Sequence, residues 1–320
     1  MAAYGLVTFE HEELEVRRAG WIYLIAAHLG VACILAAFLL LANRSGSLDF
    51  HAMGQHQTLS AVFAAIVFLL ALAGFGAKAG FVPMHVWLPE AYSAAPPHVA
   101  GAMSGAMAKM GIYGLLRVMT MLGAPQPWWG ICLAVLGLGT AVFGIAMSLM
   151  QKDLKRVLAY SSIENMGLIA LSLGIGIWGW AVGQPANSVL GFSAALLHVW
   201  NHAAMKGLTF MATGSLLGAT GTTNLERLGG LMKRMPWTGC SMMLGAVAIA
   251  ALPPLNGFVG KWLLYLGMAK IGLMQSDVLG VGTLLATGVV AAVGGLAAVS
   301  FVRLVGIAFL GAPRSPPADA

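Results

Sequence analysis

Long apolar runs separated by short polar loops follow one another along most of the chain. A helix needs about 20 apolar residues to cross the hydrocarbon core of a bilayer. The runs are continuous rather than alternating, which favours helices over a transmembrane β-barrel. We therefore predict an all-α polytopic membrane protein with about eight transmembrane helices. Their predicted bounds are 21–42, 59–90, 98–121, 128–150, 157–178, 189–217, 238–270 and 279–310.

Two of these segments, 59–90 and 238–270, are too long for one straight span and are predicted to be broken helices. The breaks fall at the glycines and prolines of "GFVPMHVWLPEA" and "ALPPLNGFVGKW". Broken helices beside charged residues form ion sites in many transporters. A lysine precedes Gly-Phe-Val in the first segment and follows it in the second, which is a hint of an inverted repeat.

The composition supports the membrane assignment, since 59% of the residues are hydrophobic and 9% are charged. A soluble globular domain carries about 25% charged residues. Most basic residues lie in short loops, so the net charge of +6 does not indicate a nucleic-acid surface. The positive-inside rule predicts a multi-pass protein with both termini in the cytoplasm. The basic residues that set this orientation are Arg17, Arg18, Lys152, Lys155, Arg156, Arg227, Lys233, Arg234 and Arg314.

Four of the eight lysines lie within predicted spans: Lys78, Lys109, Lys206 and Lys261. A lysine at the bilayer centre costs about 2.5–3.5 kcal/mol on insertion scales. One lysine near a span end often extends its amine to the headgroups, but four lysines in four spans indicate a function. Lysine, unlike arginine, can give up its proton in a buried site. The four lysines are therefore candidates for a proton relay.

Two histidines and a lysine recur every four residues in "LHVWNHAAMK", which contains His198, His202 and Lys206. This spacing places them near one face of a helix. A metal site, a proton path and a polar seam between helices all fit that pattern. A metal site is disfavoured, because no Glu, Asp or Cys nearby completes it and Lys206 repels a cation. No cysteine cluster or nucleotide-binding glycine loop is present, so we predict no cofactor and no metal.

Two further titratable residues are accessory candidates. His85 follows the first helix break and either caps freed carbonyl groups or adds a station to the relay. Glu164, in "AYSSIENMG", is either an interfacial carboxylate near a helix start or the cytoplasmic mouth of a proton path. The residue pattern does not decide between these alternatives.

Four long motifs together resemble a known family: "KAGFVPMHVWLPEAYSAAPPHVAGAMSGAMAKMGIYGLLR", "DLKRVLAYSSIENMG", "LHVWNHAAMKGLTFMATGS" and "ALPPLNGFVGKW". They resemble the antiporter-like, proton-translocating membrane subunits of NADH:quinone oxidoreductase, multisubunit sodium/proton antiporters and energy-converting membrane hydrogenases. "TFEHEELEVRRAG" and the Glu-Asn of "SSIENMG" are most similar to the hydrogenase-4 and formate hydrogenlyase branch. Many relatives in the respiratory complex have a histidine at the position of Asn165, so one titratable station is absent and Glu164 is its candidate substitute.

The resemblance implies a role for each candidate lysine and histidine. Lys78 corresponds to the central lysine of the first broken helix, and Lys109 to the lysine of the following helix. Lys261 corresponds to the terminal lysine of the second broken helix. Protons would pass along a hydrated axis and leave near Lys261. The residues that match the relay helix between Lys109 and Lys261 are His198, His202 and Lys206.

The resemblance also implies two inverted five-helix halves, of which this chain holds one complete and one partial copy. We expect a cytoplasmic segment at 1–20 after a missing helix, a partial first half at 21–122, a second half at 123–310 and a cytoplasmic tail at 311–320. The chain would then be a fragment or a truncated product, and the glutamate partner of Lys78 would lie upstream of residue 1.

We therefore predict a cofactor-free, proton-translocating membrane subunit of an energy-converting oxidoreductase complex of the hydrogenase or NADH dehydrogenase type. Its predicted partners are other membrane subunits, the hydrophilic subunits that carry the redox chemistry, the lipid bilayer and protons. The alternatives are a subunit of a sodium/proton antiporter, with Na⁺ as a further ion, and a structural subunit that does not pump. A metal- or haem-bearing electron carrier is the remaining alternative.

Overall fold

The protein is helical throughout the parts that its computed structural model describes, residues 2–54 and 59–314. Within these residues the non-helical pairing is one isolated β-bridge between Asp153 and Asn224. A π-helical turn (Met103–Met107) lies between the helices Pro97–Ala102 and Lys109–Met119, and a short 3₁₀ helix (Leu231–Lys233) precedes the helix Pro236–Ile249. The α-helices are α1 (Ala2–Val7), α2 (Leu14–Ser45), α3 (Phe50–Gly54), α4 (Ala61–Ala79), α5 (Trp87–Ala94), α6 (Pro97–Ala102), α7 (Lys109–Met119), α8 (Pro127–Met150), α9 (Leu154–Ala181), α10 (Pro185–Thr220), α11 (Pro236–Ile249), α12 (Asn256–Met274) and α13 (Val278–Phe309).

Six helical stretches of the described residues are long and apolar enough to cross a membrane: α2, α4, the stretch Pro97–Met119, α8, α9 and α13. The predicted all-α, multi-span class is thus confirmed, while the count of eight spans and the inverted repeat remain predictions. Helix α10 is 36 residues long and carries the polar His198, His202 and Lys206 in its middle. Polar residues lower the mean hydropathy of a helix without changing its length. Composition alone therefore understates the capacity of α10 to cross a membrane.

The first long helix begins at Leu14, before the predicted start of the span at residue 21. The residues in between include Glu15, Arg17 and Arg18, and their charge marks where the hydrocarbon begins rather than where the helix begins. Arg17 donates hydrogen bonds to the backbone carbonyls of His11 and Glu12, at 3.0 and 2.8 Å. These bonds hold the preceding turn against the helix start.

Both predicted helix breaks are present. Helix α4 ends at Ala79 with Gly80 in the left-handed region (φ +83°), and the chain resumes as α5 at Trp87. Helix α11 ends at Ile249, and α12 starts at Asn256. Side chains satisfy backbone groups at the first break, where Trp87 Nε1 donates to the carbonyl of Ala77 at 2.8 Å.

Helix α9 lies at the centre of the molecule, and the apolar stretch that identifies it as a span is entirely buried. It packs against α8 through backbone contacts at glycines. A Cβ on Gly137 would lie 2.4 Å from the backbone nitrogen of Leu171, and one on Gly144 would lie 2.4 Å from that of Glu164. Small residues allow this close approach between membrane helices. The position of Glu164 is therefore set by the α8–α9 contact.

Candidate functional site

Six ionisable side chains are buried around α9, contributed by four helices. Lys206, Glu164 and His202 have no exposed surface, and the other three are at most 7% exposed. Groups of this kind are rarely buried unless they are paired or functional. The set consists of Lys109 on α7, Glu164 on α9, His198, His202 and Lys206 on α10, and Lys261 on α12.

Lys109 begins α7 directly after the π-helical turn. Its amine donates a hydrogen bond to the backbone carbonyl of Ser104. In the π register the backbone N–H of Ala108 bonds to the carbonyl of Met103 at 3.0 Å, so the Ser104 carbonyl is open to another donor. The hydroxyl of Ser104 in turn lies 2.9 Å from the hydroxyl of Ser162 on α9. Lys109 is therefore connected to the central helix.

Lys206, on α10, also bonds to α9. Its amine donates to the backbone carbonyl of Leu158 at 2.9 Å and to the hydroxyl of Ser161. The same Leu158 carbonyl accepts a bond from Ser162 at 2.8 Å, which joins the contacts of Lys109 and Lys206. The amine of Lys206 also lies 5.9 Å from the ring centroid of Phe301 on α13, in cation–π geometry. All its oxygen partners are uncharged.

Glu164 and Lys261 form a buried ion pair, with Glu164 Oε1 at 3.6 Å from Lys261 Nζ. Lys261 also donates to the carbonyl of Ile249, the last residue of α11, at 3.4 Å. This lysine therefore bridges the second helix break and the carboxylate. Glu164 is fully buried inside the protein. A buried pair of this kind is held at a cost, because both ions have lost their water.

Asn165 connects the ion pair to His198. Its amide nitrogen donates to the carbonyl of Ser161 at 2.8 Å and to Glu164 Oε2 at 3.3 Å. Its amide oxygen lies 2.9 Å from His198 Nε2. The polar residues around α9 thus form one cluster that includes Lys109, Lys206, Glu164, Lys261 and His198. Its links are hydrogen bonds, the Lys261–Glu164 ion pair, and two serines, Ser104 and Ser161, each bonded at both its carbonyl and its hydroxyl.

His202 is fully buried, and neither ring nitrogen has a hydrogen-bond partner among the described residues. Its ring is nearly parallel to that of His198, with centroids 6.3 Å apart and an interplanar angle of 9°. A buried polar atom without a protein partner is costly unless water satisfies it. Both ring nitrogens of His202 are free of protein partners in the described part of the chain.

The structure does not join Lys78 to this cluster. Lys78 is half-buried near the end of α4 and lines a cavity of about 60 Å³ together with Tyr23, Trp87 and Met107. Within residues 2–54 and 59–314 its amine has no hydrogen bond or ion pair. His85, in the first helix break, contacts the ring of Phe143 with centroids 4.6 Å apart. Its Nδ1 atom likewise has no partner in the described chain.

Four polar residues of the cluster were absent from the sequence-based site: Ser104, Ser161, Ser162 and Asn165. The last three belong to "AYSSIEN", where Ser161 and Asn165 are one helical turn apart and share a face of α9. A cluster of polar residues inside an apolar span is the signal that could have identified them. In the part of the chain that the structure describes, no three or more His, Cys, Asp or Glu side chains are grouped so as to hold a metal ion.

The fold and the buried charges define a multi-span α-helical membrane protein with a cluster of ionisable side chains in its interior. The chain belongs to the family described as "NADH:quinone oxidoreductase/Mrp antiporter, TM", whose model matches residues 1–287. This membership confirms the family that the motifs indicate.

Individual relatives support the same assignment. The chain is 41% identical to hydrogenase-4 component B of Escherichia coli over all of its own length and 48% of that protein. It is 38% identical to formate hydrogenlyase subunit 3 of E. coli, with 94% of this chain and 50% of the relative covered. In the structure of the membrane-bound sulfane sulfur reductase, an archaeal respiratory membrane complex, one chain matches with a TM-score of 0.83 and 27% identity. That match covers 99% of this chain and 62% of the other. The chain spans about half the length of the curated relatives it matches.

Proposed function

We propose that the protein is a proton-translocating membrane subunit of an energy-converting oxidoreductase complex. The observation that carries the proposal is the cluster along α9, which connects Lys109 to the Lys261–Glu164 pair. Its members, lysine, histidine and glutamate, can each gain or lose a proton. The identities of two relatives, hydrogenase-4 component B and formate hydrogenlyase subunit 3, support membership of a redox complex.

The uncharged partners of Lys109 and Lys206 suit a relay. A carboxylate beside an amine holds the proton on it, whereas a carbonyl or hydroxyl oxygen stabilises the ammonium form less strongly. Lys109 and Lys206 are bound only to such oxygens among the described residues. Lys261, in contrast, faces Glu164. In the ion pair Lys261 already carries a proton, and Glu164 would hold that proton on the amine until the pair separates.

The finer arrangement belongs to the same proposal. Eight spans are proposed, with both termini on the cytoplasmic side of a prokaryotic cell membrane. A partial half-repeat at 21–122 and a second half at 123–310 would each contain one broken helix with a lysine beside it. Lys78 and His85 would serve the first half, and the remaining candidates the second. Other membrane subunits and hydrophilic redox subunits are the proposed partners.

Proton transport by vesicles tests the proposal directly. Inverted membrane vesicles would carry the full-length protein in its complex, with acidification followed by a pH-sensitive dye during redox turnover. Lys261→Ala and Lys78→Ala are each expected to abolish acidification, because each removes a proton-carrying amine beside a helix break. Lys270→Ala is the control, since Lys270 is on α12 as well but lies toward the other end of that helix.

The amount of assembled complex in each vesicle preparation must be matched by immunoblot, so that lost assembly is not read as lost transport. Acidification at the wild-type rate in either Lys78→Ala or Lys261→Ala would contradict the proposal and favour a structural role.

A sodium/proton antiporter subunit is the second candidate, because the description of the matching family includes the Mrp antiporters. The same vesicles distinguish it. Uptake of radioactive sodium that depends on a proton gradient, and that Lys261→Ala removes, would establish the antiporter. Acidification that is unchanged when sodium is replaced by potassium supports the redox-driven proton pump.

A further inference from the structure

His198 has a defined partner at only one of its two ring nitrogens. The partner is Asn165, whose amide oxygen lies 2.9 Å from His198 Nε2. The amide nitrogen of Asn165 faces two oxygen acceptors, the carbonyl of Ser161 at 2.8 Å and Glu164 Oε2 at 3.3 Å. A side-chain amide has two N–H donors, and here both are used. The reversed orientation of the amide would place its oxygen against these two oxygens, which is repulsive.

This orientation determines the tautomer of the histidine. The Asn165 oxygen can only accept a hydrogen bond, so His198 Nε2 must donate one. In the neutral imidazole the other nitrogen, Nδ1, then carries the free lone pair. His198 Nδ1 is buried and has no hydrogen-bond partner among the described residues.

Helix α12 faces His198 Nδ1 at Gly260, the residue next to Lys261. A Cβ on Gly260, the residue before Lys261 on α12, would lie 2.9 Å from this nitrogen and 3.1 Å from the histidine Cβ. Any side chain at residue 260 would therefore cover Nδ1. The charged groups whose fields reach His198 are Lys261 from α12 and Lys109 from α7. Glu164 lies beside Asn165 on α9, and the imidazole of His202 follows on α10.

We infer that Asn165 is a positioning residue that fixes His198 as the Nε2–H tautomer, so that His198 gains and loses protons at Nδ1 alone, on the side of the ring that faces Gly260 of α12. The inference rests on the proposed function. An amide oxygen cannot pass a proton onward, so His198 is a side station that accepts and returns a proton on one atom. His202, with two unpartnered nitrogens, is the histidine that can accept on one side and donate on the other.

The tautomer can be observed in the full-length protein within its complex. With ¹⁵N-labelled histidine, solid-state NMR distinguishes a protonated ring nitrogen from one with a free lone pair, and the signals lost in His198→Gln assign the residue. The expected result for the wild type is a protonated Nε2 and a free Nδ1. A wild-type His198 with its proton on Nδ1 would overturn the inference.

Two variants of Asn165 test the cause. Asn165→Leu has a similar size but no acceptor, and it is expected to give a mixture of both tautomers. Asn165→Asp retains an acceptor oxygen and is expected to keep the proton on Nε2. An unchanged single tautomer in Asn165→Leu would show that Asn165 does not set it. If Asn165→Leu fails to assemble, Asn165→Asp still tests the cause, because a proton on Nδ1 in that variant would show that an acceptor oxygen at residue 165 does not set the tautomer.

The tautomer experiment and the vesicle experiment can fail independently of each other. If Lys261→Ala vesicles acidify normally while the tautomer is as stated, the proposed function fails and the assignment of Asn165 survives as chemistry of the site. If Lys261 is required for acidification but His198 carries its proton on Nδ1, only the inference about Asn165 and Gly260 fails.

Discussion

Lys78 and Lys261 occupy corresponding places, each beside a break in a helix, yet their surroundings differ. Lys261 is 5% exposed and paired with a fully buried carboxylate, and it also bonds to the carbonyl end of α11. Lys78 is half-buried, lines a small cavity, and has no ion pair or hydrogen bond among residues 2–54 and 59–314. The comparison teaches that a lysine at a helix break does not by itself define a site. Its charge partner determines what removing the lysine does to the stability of the protein.

The largest expected effect concerns the stability of the buried pair. Lys261→Met and Glu164→Gln each leave one buried charge without its partner, and each is expected to lower the free energy of unfolding by about 3–5 kcal/mol. The double variant Glu164→Leu/Lys261→Met removes both charges and should recover most of that loss. Unfolding of the full-length protein in detergent micelles, followed by intrinsic fluorescence, measures these differences.

Lys78→Met is the matched control for this series. Because Lys78 has no charge partner in the described chain, its replacement is expected to change the free energy of unfolding by less than about 1 kcal/mol. If Lys261→Met proved as stable as Lys78→Met, the two lysines would be equivalent and the comparison would collapse.

The second effect concerns the glycines that hold each lysine's helix in place. A Cβ on Gly144 would lie 2.4 Å from the backbone nitrogen of Glu164, and one on Gly111 would lie 2.8 Å from that of Ala79, next to Lys78. Gly144→Ala and Gly111→Ala are each expected to destabilise the protein by about 1–3 kcal/mol through overpacking. Gly144→Ala should also reduce proton transport, because it displaces the carboxylate of the pair.

Gly139→Ala is expected to change the stability of the protein in the opposite direction. Gly139 is on α8 as well, but nothing lies within 4 Å of its added Cβ. Replacing a helical glycine by alanine without a clash is expected to stabilise by about 0.4–1 kcal/mol. Equal effects of Gly144→Ala and Gly139→Ala on the thermal midpoint would show that the close contact with Glu164 is absent in the protein.

The smallest effect comes from a lysine–glutamate pair on the surface, Lys152 and Glu226, at 2.7 Å with both side chains mostly exposed. The hydrogen bond from Lys152, with its charge, lowers the pKa of Glu226. Such a carboxylate favours folding above its unfolded pKa of about 4.3 and loses that contribution as the pH falls through the lowered value. Water and salt screen this pair, so Glu226→Gln should leave the thermal midpoint at neutral pH unchanged. A clear decrease in the thermal midpoint would show that this exposed pair stabilises the protein as the buried pair Lys261–Glu164 does.

The lysines and histidines of the site could be predicted because charge within an apolar run stands out in any sequence. The burial of Glu164 could not. Helix α9 is covered by its neighbours along its apolar stretch, and Glu164 has no exposed surface. Hydropathy measures how apolar a span is but not which helices cover it, so it does not distinguish an exposed carboxylate from a buried one.

The role of Asn165 was beyond prediction for a different reason. From the sequence it is a polar residue at a place where many relatives have a histidine. Its importance comes from three contacts, to Ser161 and Glu164 on its own helix and to His198 on another. Side-chain hydrogen bonds between helices depend on rotation and depth, which hydrophobic periodicity does not fix. The two helix breaks were predictable, because glycine and proline act locally on the backbone.

Helix α9 touches its neighbours backbone to backbone on two sides. Gly137 and Gly144 of α8 approach it on one side, and Gly191 of α10 lies against Gly176 on the other, where a Cβ would be 2.2 Å from the backbone nitrogen. Rotating or sliding α9 would force Cβ atoms of other residues into these contacts. These contacts oppose rotation and sliding of α9, so we expect the backbone that carries Glu164 to keep its position when the neighbouring side chains change protonation.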